Sequence, residues 1–344
     1  MRIIMYPSPS RRIYNPIIHV LGEGLRAAGV SILPIGAGGF WFPRALHVHW
    51  LEHVYWGPIA RHLPVLGYLR ALHLIHVARG VQRRGGRVVW TMHNLRPHEA
   101  LTGVRGKIYS LMVARFLPLV SDIIVMSENT RREVATNYPE AAGAKVHVIP
   151  HPHFSNFYAE HGLDLSRAPA RTDVPTFALV GLLRPYKGIV EVVEALRTYR
   201  ETPFRMIIAG EGPQSYQSRI VEAIGGDTRF ELIKGAVGHD EFAAILRNAD
   251  AALFNFSSIL NSGSVIAALS CGTPALCPAD GALTELATQI GREWVRCFDR
   301  PLDVDWLFAQ VDSLRRLDRT APPLKQLEPS AIGLALKTVY GEAL

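Results

Sequence analysis

The sequence predicts an α/β protein of two doubly wound halves, each a parallel sheet with helices on both faces. Three observations predict it. Strand-length apolar runs alternate with helix-period segments along the 344 residues. The alternation lapses once, in a polar stretch from about Phe154 to Pro175, and then restarts. Apolar residues make up 48% of the chain, ample for two cores in a chain of two-domain length.

In the first half RIIMYP reads as a strand. A helix from about Asn15 to Ala28 follows, stopped by Gly29. VSILPI, LHVHW, VVWTMHN, DIIVMS and KVHVIP are the further strands. Helical patterns at about Leu63–Arg84, Arg105–Val120 and Glu128–Asn137 separate several of them. The stretch HGLDLSRAPARTDVP carries two prolines and reads as a linker. TFALVGLL, FRMIIAG, FELIKG, AALFNF and PALCP then continue as strands, with helices near Val190–Tyr199, Ser215–Ile224, Asp240–Asn248 and Val265–Ser270. The expected domains are 1–155 and 173–324, with a helical segment at about 325–344 that, by analogy, returns to the first. Ligands of such sheets lie beyond the carboxyl ends of the strands, so a central cleft between two facing domains is the expected site.

Lys and Arg exceed Asp and Glu by 37 to 30, a net charge of +7 that favours acidic partners. The three cysteines, Cys271, Cys277 and Cys297, make neither a disulfide framework nor a zinc spacing, which suits a reducing compartment. The apolar run in MRIIMYPSPSRR is too short for a signal peptide. The charge-free stretch Ala251–Ala279 is interrupted by Asn, Ser, Gly and Pro and reads as buried sheet and turns, not as a membrane span. A cytoplasmic location is the expectation.

Two loops in the second half carry anion-binding chemistry. GLLRPYKG, Gly181–Gly188, follows a strand directly, so Arg184 and Lys187 are expected to face the site. A forked guanidinium and a point-charge ammonium suit a diphosphate. Gly188 would let a helix N-terminus approach the same anion. A solvated turn with two surface cations has the same sequence. The second loop follows AALFNF. Its residues Asn261, Ser262, Gly263 and Ser264 open a helix whose amides can cradle phosphate, although a plain Ser N-cap would also fit. IAGEGP is a strand-end turn of structural use. Glu285, in the strand-end loop PADGALTEL, is a candidate acceptor for ribose hydroxyls, or simply a first-turn helix acid.

In the first half, HVHWLEH and TMHNLRPHEA place His49, Trp50, Glu52, His93, Asn94, His98 and Glu99 at or just past strand ends. Single histidines are usually structural, but two polar clusters at two strand ends point to a site. No tight His/Asp spacing recurs, so acid/base work on a sugar hydroxyl is favoured over a metal. Between His53 and His98 there is no acid, while Arg61, Arg70, Arg79, Arg83, Arg84, Arg87 and Arg96 fall there. On the helix from Leu63, Gly67, Ala71, Leu74, Ala78 and Val81 form an inward face. Arg and His mix with Leu66, Leu69, Leu72 and Tyr68 on the other side, as on an interfacial helix against an anionic bilayer. Arg70, Arg79, Arg83 and Arg84 are the candidate membrane contacts; a solvated basic helix is the plainer reading. No stacking platform or recognition motif accompanies the charge, so nucleic acid is not an expected partner.

The strand–RPYKG turn, IAGEGP and SCGTP resemble the C-terminal domain of the large retaining glycosyltransferase group with two Rossmann-like domains, the GT-B fold. Those enzymes usually carry two glutamates eight residues apart before the CGTP turn, and the corresponding positions here are Ile259 and Ala267. Asn15-Pro16, HVHWLE, TMHNLRPHE, GLLRPYKG and LNSGS, in that order, resemble the inverting xanthan-type GDP-mannose:glycolipid β-mannosyltransferase family. This resemblance implies transfer of mannose from GDP-mannose to a polyprenyl-diphosphate-linked oligosaccharide in exopolysaccharide assembly. It also implies association with the inner face of the cell membrane. The diphosphate would lie on Arg184, Lys187, Gly188 and Asn261–Ser264. Glu99 would be the base, with Glu52 its rival, and His93 and His98 would orient the sugar or tune that base. Asn15, His49, Trp50 and Asn94 would meet acceptor or sugar. No cofactor is implied, and a leaving-group site without acids suits metal-independent transfer. A retaining transferase with another donor, such as UDP-glucose, and a non-catalytic nucleotide-sugar or anionic-lipid binder are the alternatives.

Overall fold

The computed structural model describes residues 1–9, 16–37, 43–55, 63–94, 103–257, 259–261 and 263–341. The chain forms two compact units, Met1–Pro152 with Leu327–Leu344, and His153–Gln326.

The first unit begins with β1 (Arg2–Tyr6), α1 (Pro16–Ala27), β2 (Ser31–Leu33) and β3 (Ala45–Val48). It continues with α2 (Pro64–Arg83), β4 (Arg87–Thr91), α3 (Gly103–Phe116), β5 (Asp122–Val125), α4 (Glu128–Asn137) and β6 (Lys145–Val148). The six strands run parallel in the order β2-β1-β3-β4-β5-β6. Ile3, Ile4 and Met5 are fully buried on successive sides of β1, which is why the run is apolar without alternation. Gly29, at φ 76°, takes the left-handed turn that ends α1, as the sequence predicts. The predicted helix over Arg105–Val120 is shorter. It ends at Phe116, and a 3-10 turn at Leu117–Leu119 follows because Pro118 has no amide to continue the ladder.

The second unit contains α5 (Ser155–Glu160), β7 (Thr176–Val180), α6 (Ile189–Thr198), β8 (Arg205–Gly210), α7 (Gln214–Ile224) and β9 (Phe230–Lys234). It then adds α8 (His239–Asn248), β10 (Ala251–Leu253), α9 (Gly263–Ser270), β11 (Ala275–Pro278), α10 (Gly281–Ile290) and β12 (Val295–Phe298). Two short helices, α11 (Val304–Ala309) and α12 (Val311–Arg316), close it. The strands are again parallel, in the order β12-β11-β10-β7-β8-β9. The chain then returns to the first unit as α13 (Pro329–Val339), which packs along α1.

Strand order reverses between β1 and β3 in one sheet and between β7 and β10 in the other. At such a point two successive loops leave in opposite directions and open a crevice at the carboxyl ends. The loops beyond β7 and β10 are GLLRPYKG and the segment leading to NSGS.

The stretch read as a linker is more ordered than its composition suggests. Phe154, Phe157 and Tyr158 are buried and carry α5, and Tyr158 stacks on Phe242 at 5.7 Å. Beyond it, Arg247 Nη2 donates to the carbonyls of Leu165 (3.0 Å) and Arg167 (2.8 Å). Arginines thus satisfy the backbone of a segment that lacks a ladder of its own.

Candidate functional site

At the switch point of the second sheet the two predicted anion loops meet. β7 ends at Val180, and Gly181 follows with φ 118°, a conformation that favours glycine. A methyl group built there would stand 3.2 Å from Lys187 Nζ and 3.9 Å from Ser264 Oγ. Residues from both loops therefore converge on one small volume. Pro185–Lys187 form a 3-10 turn that swings the Lys187 side chain inward, leaving it 4% exposed. Burial, and then the neighbouring Arg184 cation, lower the Lys187 amine to about 8. Among the described residues it has no carboxylate partner. A buried, uncompensated ammonium is costly and marks a place where an anion would be stabilised. Ser264 lies in the first turn of α9, whose leading amides and dipole add positive potential. Asn261 is half-buried just before that turn, Gly263 is its first residue, and Ser262 lies outside the described residues.

The two loops are also joined by hydrogen bonds. Ser257 N donates to Tyr186 O at 2.8 Å, and Asn255 Nδ2 donates to Gly188 O at 3.3 Å. Tyr186 stacks on Phe256 at 6.4 Å. Arg184 is half-buried, with Nη1 donating to Leu183 O at 3.1 Å. Gly188 takes φ 61°, and a Cβ there would sit 2.4 Å from Asn255 O. It serves this loop contact. The hydroxyl of Tyr216 already accepts the first amides of α6, those of Ile189 and Val190. IAGEGP has its expected structural use: a Cβ on Gly210 would overlap Gly181 O, and one on Gly212 would stand 2.5 Å from Leu183 O. Glu285 is neither a loop residue nor a first-turn acid. It lies in the second turn of α10, because Asp280 and Gly281 start the helix earlier than the sequence pattern suggests. Asn255, which ties the anion loops together, and Tyr216, which anchors the start of α6 behind the first of them, are functional supports the sequence reading missed. Their signal, a polar residue inside the AALFNF run and an aromatic residue after a glycine turn, is weak.

In the first unit, β3 and β4 present a histidine cluster at their carboxyl ends. His47 Nδ1 bonds Tyr340 OH at 2.7 Å, and His47 Nε2 bonds Thr91 Oγ1 at 2.7 Å. Burial lowers its imidazole to about 3, so it is neutral at physiological pH. His49, just beyond β3, is 1% exposed, and its Nδ1 lies 3.0 Å from His93 Nε2. Burial, reinforced by His47, His93 and His53, lowers its pKa strongly. Its Nε2 is buried without a partner among the described residues. The Trp50 indole stacks on His93 at 4.2 Å and on His53 at 5.1 Å. Such a three-ring stack suits the apolar face of a pyranose. Asn94 is half-buried directly after His93. Glu52 sits in a 3-10 turn, Leu51–Tyr55, where burial raises its carboxyl above the usual range, opposed by its own backbone N–H. Of the other predicted residues, Asn15, His98 and Glu99 lie outside the described residues. Thr91 and Tyr340 were not anticipated.

On α2 the predicted inner face holds, with Gly67, Ala71, Leu74, Ala78 and Val81 all buried. Leu69 and Leu72 are exposed, whereas Leu66 and Tyr68 are half-buried. Arg79, Arg83 and Arg84 are exposed. Arg70 differs from them: it is half-buried, with Nη1 donating to Val54 O at 3.3 Å, because it borders the buried face beside the 3-10 turn. Among the described residues no helix is long and apolar enough to cross a membrane.

The glycosyl transferases group 1 family matches residues 164–295, which contain both anion loops. Two curated relatives span most of the chain. A GDP-mannose:glycolipid 4-beta-D-mannosyltransferase of Xanthomonas campestris pv. campestris (strain ATCC 33913) is 27% identical over 310 residues, covering 87% of this chain and 80% of the relative. A second protein of that name from the same pathovar is 27% identical over 308 residues, with the same coverage. The chain is a glycosyltransferase. The fold of this glycosyltransferase is also that of sucrose-phosphate synthase from Thermosynechococcus elongatus, with a TM-score of 0.64 at 14% identity over 99% of this chain and 98% of that one. Anabaena HepE, solved in complex with UDP, has a TM-score of 0.61 at 10% identity, covering 98% of each chain. The α/β class with two doubly wound sheets and GT-B neighbours agrees with the sequence reading.

Proposed function

We propose that this glycosyltransferase moves mannose from GDP-mannose to a polyprenyl-diphosphate-linked oligosaccharide, inverting the anomeric centre, in exopolysaccharide assembly. The observation that carries the donor half is Lys187, a buried ammonium without a carboxylate partner among the described residues, set beside Ser264 and the start of α9. The name shared by both relatives supports GDP-mannose and a glycolipid acceptor. Ile259 and Ala267 stand where retaining group members carry acids, which supports inversion.

In this reading Lys187, Arg184 and the amides of Gly263–Ser264 neutralise the diphosphate as the bond to the anomeric carbon lengthens. The stack of His93, Trp50 and His53 holds a sugar ring. Glu99 takes the proton of the acceptor hydroxyl, with Glu52 as the rival base, and the oxygen displaces GDP. Arg79, Arg83 and Arg84 hold the enzyme at the inner face of the membrane, where its lipid-linked acceptor is found.

The test is turnover with GDP-mannose and a lipid-linked acceptor, with product configuration read by NMR. A β-mannoside is expected, and an α-product would overturn inversion. Glu99→Gln should abolish turnover; near wild-type rates would pass the role to Glu52. In a thermal-shift panel GDP should stabilise the protein more than UDP, and the reverse order would refute the donor assignment.

A further inference from the structure

Two of the three cysteines face each other on neighbouring strands, a pairing that transfer chemistry does not use. Cys277 on β11 and Cys297 on β12 are register partners, and their Sγ atoms lie 4.0 Å apart in a hydrogen bond. Parallel strands about 4.8 Å apart are within the Cα separation a disulfide tolerates, roughly 4.4–6.8 Å. Closing the sulfurs to about 2.05 Å therefore needs side-chain rotation and no rearrangement of the sheet. The two thiols are unequal. Cys277 is fully buried, and Cys297 is partly exposed. Either thiol can donate in the bond the two share, while the Thr284 hydroxyl hydrogen-bonds Cys297 alone and the Arg292 cation lies nearby. The bond to Cys277, the Thr284 hydroxyl and the Arg292 cation lower the Cys297 thiol, while the shared bond and burial raise that of Cys277. The third cysteine, Cys271, is buried, and burial raises its thiol out of the reactive range.

We infer that Cys297 and Cys277 form a peroxide-reactive pair, with Cys297 the attacking thiolate and Cys277 the resolving thiol. In the first step the Cys297 sulfur attacks one oxygen of a hydroperoxide. The O–O bond breaks, the sulfur is oxidised to a sulfenic acid, and the second oxygen leaves as hydroxide. In the second step Cys277 attacks that sulfur. The S–S bond forms, the S–O bond breaks, and the oxygen leaves as water with the proton Cys277 carried. The peroxide is the two-electron oxidant, and a small thiol restores the pair. The site adjoins the anion loops: three residues past Cys297, Arg300 Nη1 donates to Phe256 O at 2.5 Å.

The test exposes the full chain to a few equivalents of hydrogen peroxide, then alkylates under denaturing conditions and maps peptides by mass spectrometry. Two of the three thiols should be lost, a Cys277–Cys297 peptide should appear, dithiothreitol should reverse it, and Cys271 should stay alkylated. In Cys277→Ser, Cys297 should instead be trapped by dimedone as a sulfenic acid. Without any substitution, native alkylation of Cys297 should rise far less between pH 7 and pH 9 than the roughly twentyfold of an ordinary thiol. Cys277 and Cys297 both remaining alkylatable after peroxide, or disulfides forming only between chains, would overturn the pair.

Discussion

At the scale of single residues, Lys187 places binding and stability in opposition. Its amine, lowered from 10.5 to about 8 by burial, destabilises the fold on the order of 3 kcal/mol at neutral pH. The sign follows from linkage: the folded state disfavours the charged amine, so the penalty is full below about pH 8 and fades as pH rises toward 10.5. Lys187→Met is therefore expected to raise the melting temperature by a few degrees while abolishing measurable GDP binding. A melting curve and a calorimetric titration on the same variant check both signs. Bound diphosphate favours the protonated amine, so GDP affinity in the wild type should weaken by up to about tenfold per unit above pH 8. Gly188→Ala is expected to fail differently, since φ 61° and a Cβ 2.4 Å from Asn255 O force the two anion loops apart. It should cost about 1–3 kcal/mol and weaken GDP binding together, read by denaturant unfolding and titration. Lys187 and Ser264 could be proposed from sequence because strand-end position is a local property. That Lys187 is buried could not, because it depends on a 3-10 turn folding the side chain inward.

At the scale of elements, α2 and α3 together contain no acidic residue, and they pack against each other. Leu63, Val65, Leu69 and Leu72 at the start of α2 are exposed, as are Val104 and Leu111 on α3, and Arg79 and Arg83 lie further along α2. Apolar side chains with a basic flank suit the boundary of an anionic bilayer. Co-sedimentation with anionic vesicles is expected, and it should fall sharply in high salt or when Arg79, Arg83 and Arg84 are changed to Gln. Binding indifferent to both would leave α2 a solvated helix. Element legibility varied for physical reasons. The inner strands β1, β3, β4 and β5 were readable because both faces of a parallel sheet are buried and the runs are apolar, and the half-buried edge strands β2 and β6 were readable from their β-branched residues alone. β12 was missed because Arg296 and Cys297 are only half-buried and break its run. α5 was missed because its two buried aromatics, Phe157 and Tyr158, are followed by a polar segment whose backbone is satisfied by a distant arginine, Arg247. The bond from Tyr340 to His47 had no sequence signal at all, since 293 residues separate the two.

At the scale of the whole molecule, α13 completes the first unit from the far end of the chain. It meets α1 through glycines: a Cβ on Gly24 would stand 2.0 Å from Pro329 O, and one on Gly333 would stand 2.1 Å from Gly24 O. Alanine in a helix is favoured over glycine by about 1 kcal/mol, but contacts this short are backbone on backbone and cannot yield cheaply. Gly24→Ala and Gly333→Ala should therefore both destabilise, by about 1–3 kcal/mol in denaturant unfolding, against the propensity trend. The same helix carries Tyr340 to His47, so it also orders the histidine cluster. Its position has a consequence for synthesis. The first 152 residues leave the ribosome with the α13-covered face of α1 bare, and they wait until the intervening second unit, about 170 residues, has been translated. At about 5–20 residues per second that wait is roughly ten to thirty seconds. The half of the enzyme made first is completed last, and for that interval the uncovered face of α1 is a natural client for a chaperone.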